Sequence, residues 1–281
     1  MSAPPPLSDR AALRRNRDRA LKQGAELFLH EEAAAEIEER LSEVNKRFTS
    51  PAVIAPFPDP WGSILPGALF VEDADTLSLD EGAHDLVIHA FALHWANDPV
   101  GQMVQCRRAL KPDGLFLGVM LGGRTLAELR AALAEAETRL MGGLSPRILP
   151  MGEIRDLGAL LQRAGFALPV ADAIRKTVTY RTAFHLIADL RAMGEGNALA
   201  SRSRRTPPRA LFPEAAGIYA KSFPAGDGRI AATFELIFLT GWAPDESQQK
   251  PLRPGSAAQR LADALGSKET PLGDTPNISD H

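Results

Sequence analysis

Four short, almost continuously apolar runs lie at Val53–Phe57, Ala68–Asp73, Asp85–Phe91 and Leu115–Leu121, with helical or turn-forming stretches between them. Strands this apolar are covered on both faces, and their alternation with helices indicates a parallel, doubly wound α/β sheet. A helix is predicted over Asp98–Leu110, followed by the turn Lys111–Gly114 with Pro112 and Gly114 in the favoured places. Thr125 and Glu128 read as a capping box opening the next helix, with Leu126, Leu129, Leu133 and Leu140 as its core face. A further helix spans Glu153–Ala164, with Gly165 at its left-handed end. Lys176–Tyr180 and Arg229–Trp242 read as strands forming an antiparallel edge hairpin. Between them, residues 182–228 form a helical, lid-like insertion, with helical stretches at Ala183–Leu199 and Pro213–Lys221 around a polar loop at Ser201–Arg209.

Residues 1–50 read as an N-terminal helical segment. Ile37, Leu41, Val44 and Phe48 form one apolar stripe, and Pro51 ends the helix. The α/β domain then occupies residues 51–244. A tail follows over residues 245–281, with one short helix at Ser256–Leu265.

The first strand runs into Pro56, Pro58 and Pro60, which remove amide donors and fix φ, so this segment is no glycine cradle for a phosphate or cofactor. Only 19 residues separate Ile54 from Asp73. A sheet of this type with a further strand in that interval needs roughly 45, since one βαβ unit takes ~30. That interval therefore leaves no room for a further strand.

The net charge of −3 gives no global attraction for nucleic acid. Arg14, Arg15, Arg17, Arg19 and Lys22 read as a solvated helix face, and Arg202, Arg204 and Arg205 as part of a flexible loop. Cys106 is the single cysteine, which excludes an intrachain disulfide and suits a small buried side chain in a reducing compartment. The histidines lack metal-ligand spacing, so no metal is expected. No integral membrane segment and no secretory leader are expected, which makes the cytoplasm the default location.

The stretch from Asp85 through "LHW" (Leu93–Trp95) to "LKPDG" (Leu110–Gly114) resembles the second half of a class I S-adenosylmethionine (SAM)-dependent methyltransferase. The segments "LGGRTLAELR", "DLRAMGEGNAL" and "LTGWAPDESQQKPLRPGSA" narrow the likeness. They resemble the methyltransferase-like assembly factors of respiratory NADH dehydrogenase (complex I) and their alphaproteobacterial relatives. The chain is also similar to the malonyl-carrier-protein methyltransferases of biotin synthesis. The resemblance spans about Leu7 to Gly266. It implies a Rossmann-like sheet with an antiparallel edge, here shortened by loss of the first helix and second strand.

The resemblance also implies SAM as cofactor. Asp73 would then accept from the adenine amino group, with Ala74, Phe91 and His94 lining the site. His94 is the one catalytic candidate. Two functions follow. One is a binding or assembly factor with a degenerate cofactor loop, whose partner is a respiratory-complex subunit or a carrier protein. The other is an active methyltransferase acting on a protein side chain or an acyl carrier. A sheet lacking an internal element is also expected to leave an edge for a homo-oligomer or a docked partner.

Overall fold

The computed structural model describes residues 5–248. Six strands form one sheet: β1 (Pro51–Ile54), β2 (Leu69–Val71), β3 (His84–Ala90), β4 (Leu110–Leu121), β5 (Ala167–Tyr180) and β6 (Ile230–Trp242), in the order β2-β1-β3-β4-β6-β5. The first four run parallel, and β6 is antiparallel to both β4 and β5. Val53 pairs with Phe70 on one side and with Ile88 on the other, so no strand stands between β1 and β2. The expected deletion is visible in this pairing. The crossover is reduced to one six-residue helix, α3 (Asp59–Ile64), which Pro60 helps to start.

Alternate residues of each parallel strand point to opposite faces, and both faces are apolar. Val53, Ile88 and Leu117 pack on one side under α2 (Phe28–Glu43), α3, α5 (Ala127–Met141), α7 (Ala183–Ala192) and α8 (Leu211–Ser222). Ala52, Val87 and Phe116 pack on the other under α4 (Pro99–Ala109) and α6 (Ile154–Arg163), where Cys106 is fully buried. Burial pushes the Cys106 thiol up, consistent with an inert core side chain. The N-terminal helix α1 (Arg10–Gln23) joins a third cluster, in which Ala12 and Leu13 meet Trp95, Leu149 and Leu199. Asp9 caps it by accepting from the Ala12 amide, and is itself gripped by Arg202 at 2.8 Å and Arg204 at 3.1 Å.

Several local expectations are corrected. Helix α2 stops at Glu43, because Val44 turns extended; Phe48 lies in a loop, and Pro51 begins β1 instead of ending a helix. Lys111–Gly114 is not a free turn but a bulged start to β4, with Asp113 at φ 59°. Thr125 and Glu128 form no capping box: Thr125 Oγ1 donates to Gly122 O, and Glu128 instead accepts from the Thr233 amide. Leu140 is 43% exposed, whereas Leu126, Leu129 and Leu133 are buried as expected. The helix expected at Ala183–Leu199 ends at Ala192, where Gly194 at φ 75° closes it. The expected tail helix lies outside the described residues.

Residues through Asp245 form one compact unit. Among the described residues, no helix is long and apolar enough to cross a membrane.

Candidate functional site at the carboxyl ends of the parallel strands

In a doubly wound sheet the crevice opens where strand order reverses, outside the carboxyl ends of the strands on either side. That place is between β1 and β3. Phe57 follows β1 and Phe91 follows β3, and His30 of α2 fills the space between them. The His30 ring lies 4.3 Å from the Phe91 ring and 5.4 Å from the Phe57 ring, centroid to centroid. Trp61 of α3 closes the floor, and its indole N–H donates to His30 Nδ1 at 3.4 Å. Phe57, Trp61 and Phe91 are all buried. From above, Phe57 is capped by Gly194, where an added Cβ would lie 3.3 Å from its ring. Phe91 holds φ 47°, a left-handed backbone that costs a bulky residue energy.

Asp73 lies at the end of β2, its side chain shut off from solvent. Arg17 Nη1 meets Asp73 Oδ2 at 2.6 Å, and Arg10 Nη2 lies 2.9 Å from Oδ1. Arg10 also donates to the Asp73 carbonyl. Both arginines come from α1, so Arg17 is not on a solvated face as its sequence context suggested. Burial alone would raise the Asp73 pKa; the two guanidiniums outweigh it and hold the carboxyl below its usual range. A cavity of about 320 Å³ beside this pair is lined by Arg10, Arg14, Arg17, Asp73 and Ala74.

A second cavity, of about 180 Å³, opens on the other side, past the end of β4. Its walls include Leu126, Leu129, Leu190 and Phe212, and Trp95 and Glu195 reach into it. Glu195 Oε2 accepts from the Trp95 indole N–H at 2.7 Å and lies 3.3 Å from His94 Nε2. Burial opposes ionisation of Glu195, but His94, Arg17 and the Trp95 N–H outweigh it and hold the carboxyl below its usual range. Between the two cavities, His89 Nε2 bonds Gln102 Oε1 at 2.7 Å, and Gln102 Nε2 donates to Ala74 O at 2.9 Å. Burial pushes His30 down to about 3 and His89 down to about 4, so both are neutral near pH 7.

The four expected site residues are therefore near one another but divided. Asp73 and Ala74 border the cavity under α1, Phe91 sits in the ring cluster around His30, and His94 backs the other cavity through Glu195. The sequence placed none of Glu195, Arg10, Arg17, His30 and Phe57 at the site. Only Glu195 carried a signal, standing inside the idiosyncratic segment "DLRAMGEGNAL". Among the described residues no cluster of three or more His, Cys, Asp or Glu suits a metal ion.

Strand order, edge hairpin and crevice define a class I methyltransferase-fold protein, shortened by one strand. Residues 32–118 match the methyltransferase domain family model. Within that class the chain is related to the arginine-hydroxylase NDUFAF5 proteins of mitochondria. It is 38% identical to the Danio rerio protein over 201 residues, which is 72% of this chain and 62% of that one. It is 39% identical to the Homo sapiens protein over 193 residues, 69% of this chain and 56% of that one. A malonyl-[acyl-carrier protein] O-methyltransferase from Laribacter hongkongensis is 33% identical over 188 residues, 67% of this chain and 61% of that one. The chain thus spans less than two thirds of the length of these relatives. A solved SAM-dependent methyltransferase from Thermotoga maritima superposes with a TM-score of 0.44 at 11% identity, over 82% of this chain and 99% of that one.

Proposed function

We propose that this protein is a methyltransferase-fold binding factor that acts in assembly of the respiratory NADH dehydrogenase, engaging a protein subunit without methylating it. One observation carries the reading: the His30 ring packs against Phe91 and edge-on against Phe57 in the crevice between β1 and β3. SAM does not fit these residues. The glycine turn that would admit its methionine end is replaced by Pro56-Phe57-Pro58, and the strand that would carry a ribose acid is absent. Asp73, the one acid left for adenine, already holds two guanidiniums. The relatives named as arginine-hydroxylases support a protein side chain as the group handled. In this reading the insertion over residues 182–228 acts as a lid, since α7 walls the smaller cavity through Ile187 and Leu190.

The alternative is an active methyltransferase, favoured by the cavity of about 320 Å³ that still borders Asp73 and Ala74. It requires Arg10 and Arg17 to swing away from Asp73 before a nucleoside enters. It also requires a methyl acceptor, on a protein or a carrier.

Deletion of the gene in the source organism tests the assembly reading. Membranes lacking the protein should lose NADH:quinone activity and accumulate a subcomplex on native gels, and the intact gene should restore both. A fully assembled, fully active complex in the deletion strain would contradict it.

A further inference from the structure

We propose that the free edge of β5 pairs with the same edge of a second copy of this chain, joining two sheets about a two-fold axis at Ile174. No β5 residue lines either cavity described above, so this contact stands apart from the assembly reading.

The sheet ends in β2 on one side and in β5 on the other. Strand β2 offers three residues to a partner and β5 offers 14. From Val170 to Tyr180, β5 pairs with β6 without a break. The backbone of β6 shows which groups of β5 face outward. The Ala231 amide donates to Phe223 O, Thr233 O accepts from the Leu126 amide, and Glu235 O accepts from the Gly122 amide. These three residues therefore turn away from β5. In an antiparallel ladder a residue that turns away lies opposite one that does the same. Their partners are Thr179, Thr177 and Arg175. By alternation Ala173 and Ala171 join them, and this set aims its N–H and C=O groups at the free edge.

Both ends of that edge are closed. Arg229 donates to the Thr179 carbonyl at one end. At the other, the register with β6 shifts between Ala167 and Val170, Leu168 holds φ 48°, and Pro169 has no N–H. Pro169 and Thr179 are equidistant from Ile174, so the open segment is centred on that residue.

The side chains match under the same symmetry. Pairing about Ile174 sets Asp172 opposite Lys176 of the second copy, Val170 opposite Val178, and Ile174 opposite itself. These fall at the non-hydrogen-bonded positions of the new ladder, where facing side chains lie closest. Val170 is 55% exposed, and Ile174 and Val178 are only partly covered. The two neighbouring registers that keep the hydrogen-bond pattern would set Lys176 against Val170 or against Ile174, and the opposite charges would no longer meet. Edge strands are usually defended by a lysine or a proline that blocks pairing. Here Lys176 is turned back onto Glu32 of α2, Asp172 is held by both Arg40 Nη atoms at 2.7 Å, and Pro169 lies outside the open segment. The two-fold also turns the Glu32 end of α2 toward the Arg40 end of the other α2. Glu36, midway between them, is held by Arg40 at 2.9 Å.

Sedimentation equilibrium of the full chain tests the proposal, with loading from about 1 μM to several hundred micromolar, a range that covers weak as well as standard interfaces. The mass should rise from one chain to two. Ala173→Pro removes an outward N–H and leaves the β6 ladder intact, so it should weaken the dimer at least roughly tenfold while the melting temperature in dilute solution stays near that of the native chain. Cysteine cross-linking reads the register, since the native Cys106 is buried and does not compete. With oxidised glutathione, Ile174→Cys should form a covalent dimer. Val170→Cys should not do so alone, but should cross-link when mixed with Val178→Cys. A single-chain mass at several hundred micromolar overturns the proposal and leaves the edge to a strand of a different protein. A dimer that survives Ala173→Pro unchanged, or Val170→Cys cross-linking as well as Ile174→Cys, also overturns it. Should Ala173→Pro fail to fold, the mass of the native chain and the cross-linking pattern still decide.

Discussion

Arg17 Nη1 lies 2.6 Å from Asp73 Oδ2, with side-chain exposures of 11% and 0%, and this pair pins the N-terminal helix over the end of β2. A buried pair contributes little against an apolar replacement, but losing one member leaves an uncompensated charge. Asp73→Ala strands Arg17 and Arg10 together and should cost about 3–5 kcal/mol in chemical denaturation. Arg17→Met leaves Arg10 on the carboxylate and should cost less. Combining the two should cost less than their sum, because they share one interaction. A loss below about 1 kcal/mol for Asp73→Ala would place the pair at the level of a surface salt bridge.

Acid should destabilise the protein well before its carboxylates titrate. His30 and His89 are held at about 3 and about 4, against an ordinary value of 6.5. The unfolded chain therefore binds more protons than the fold does between these values. Stability is full above about pH 6.5 and falls as pH drops toward about 4, by up to roughly 1.4 kcal/mol per pH unit for each histidine. Denaturation midpoints measured from pH 7 to pH 4.5 should show the fall, and His30→Phe should make it shallower. A flat profile would mean that these rings are solvated.

Phe57 packs on His30 in the crevice, beneath Gly194. Phe57→Ala should cost about 3–5 kcal/mol, and Phe57→Leu less, because the larger side chain leaves a smaller void. Thermal or denaturant unfolding of both variants checks the order. Equal, small losses would show that the crevice collapses without the ring.

The parallel sheet and its missing strand were legible because each parallel strand is apolar on both faces, and because 19 residues between Ile54 and Asp73 leave no room for another strand. The local endings were less so. The stripe Ile37–Leu41–Val44–Phe48 keeps helical spacing past Glu43, yet Val44 adopts an extended backbone and Phe48 packs from a loop. Thr125 and Glu128 have the spacing of a capping box, but β6 lies close enough to take both side chains. The site was hidden for a similar reason. Arg17, His30, Phe57 and Glu195 are far apart in the chain, and no periodicity records that α1 and the end of α7 meet over the crevice.

Gly194 is needed for its backbone and for its missing Cβ. It stands at φ 75°, and a methyl there would lie 3.1 Å from Arg17 Cγ and 3.3 Å from the Phe57 ring. Gly194→Ala should destabilise by about 1–3 kcal/mol, read as a lowered melting temperature. An unchanged melting temperature would show that α1 and α7 are not in close contact over Phe57.

The central claim is that this methyltransferase fold has closed its own cofactor crevice. Isothermal titration of the purified full chain with S-adenosylhomocysteine tests it most directly. The account predicts no heat of binding at ligand concentrations of several hundred micromolar, about the level at which a Kd near 1 mM begins to register. Saturable binding in the micromolar range, lost in Asp73→Ala, would contradict it and restore the protein as a methyltransferase.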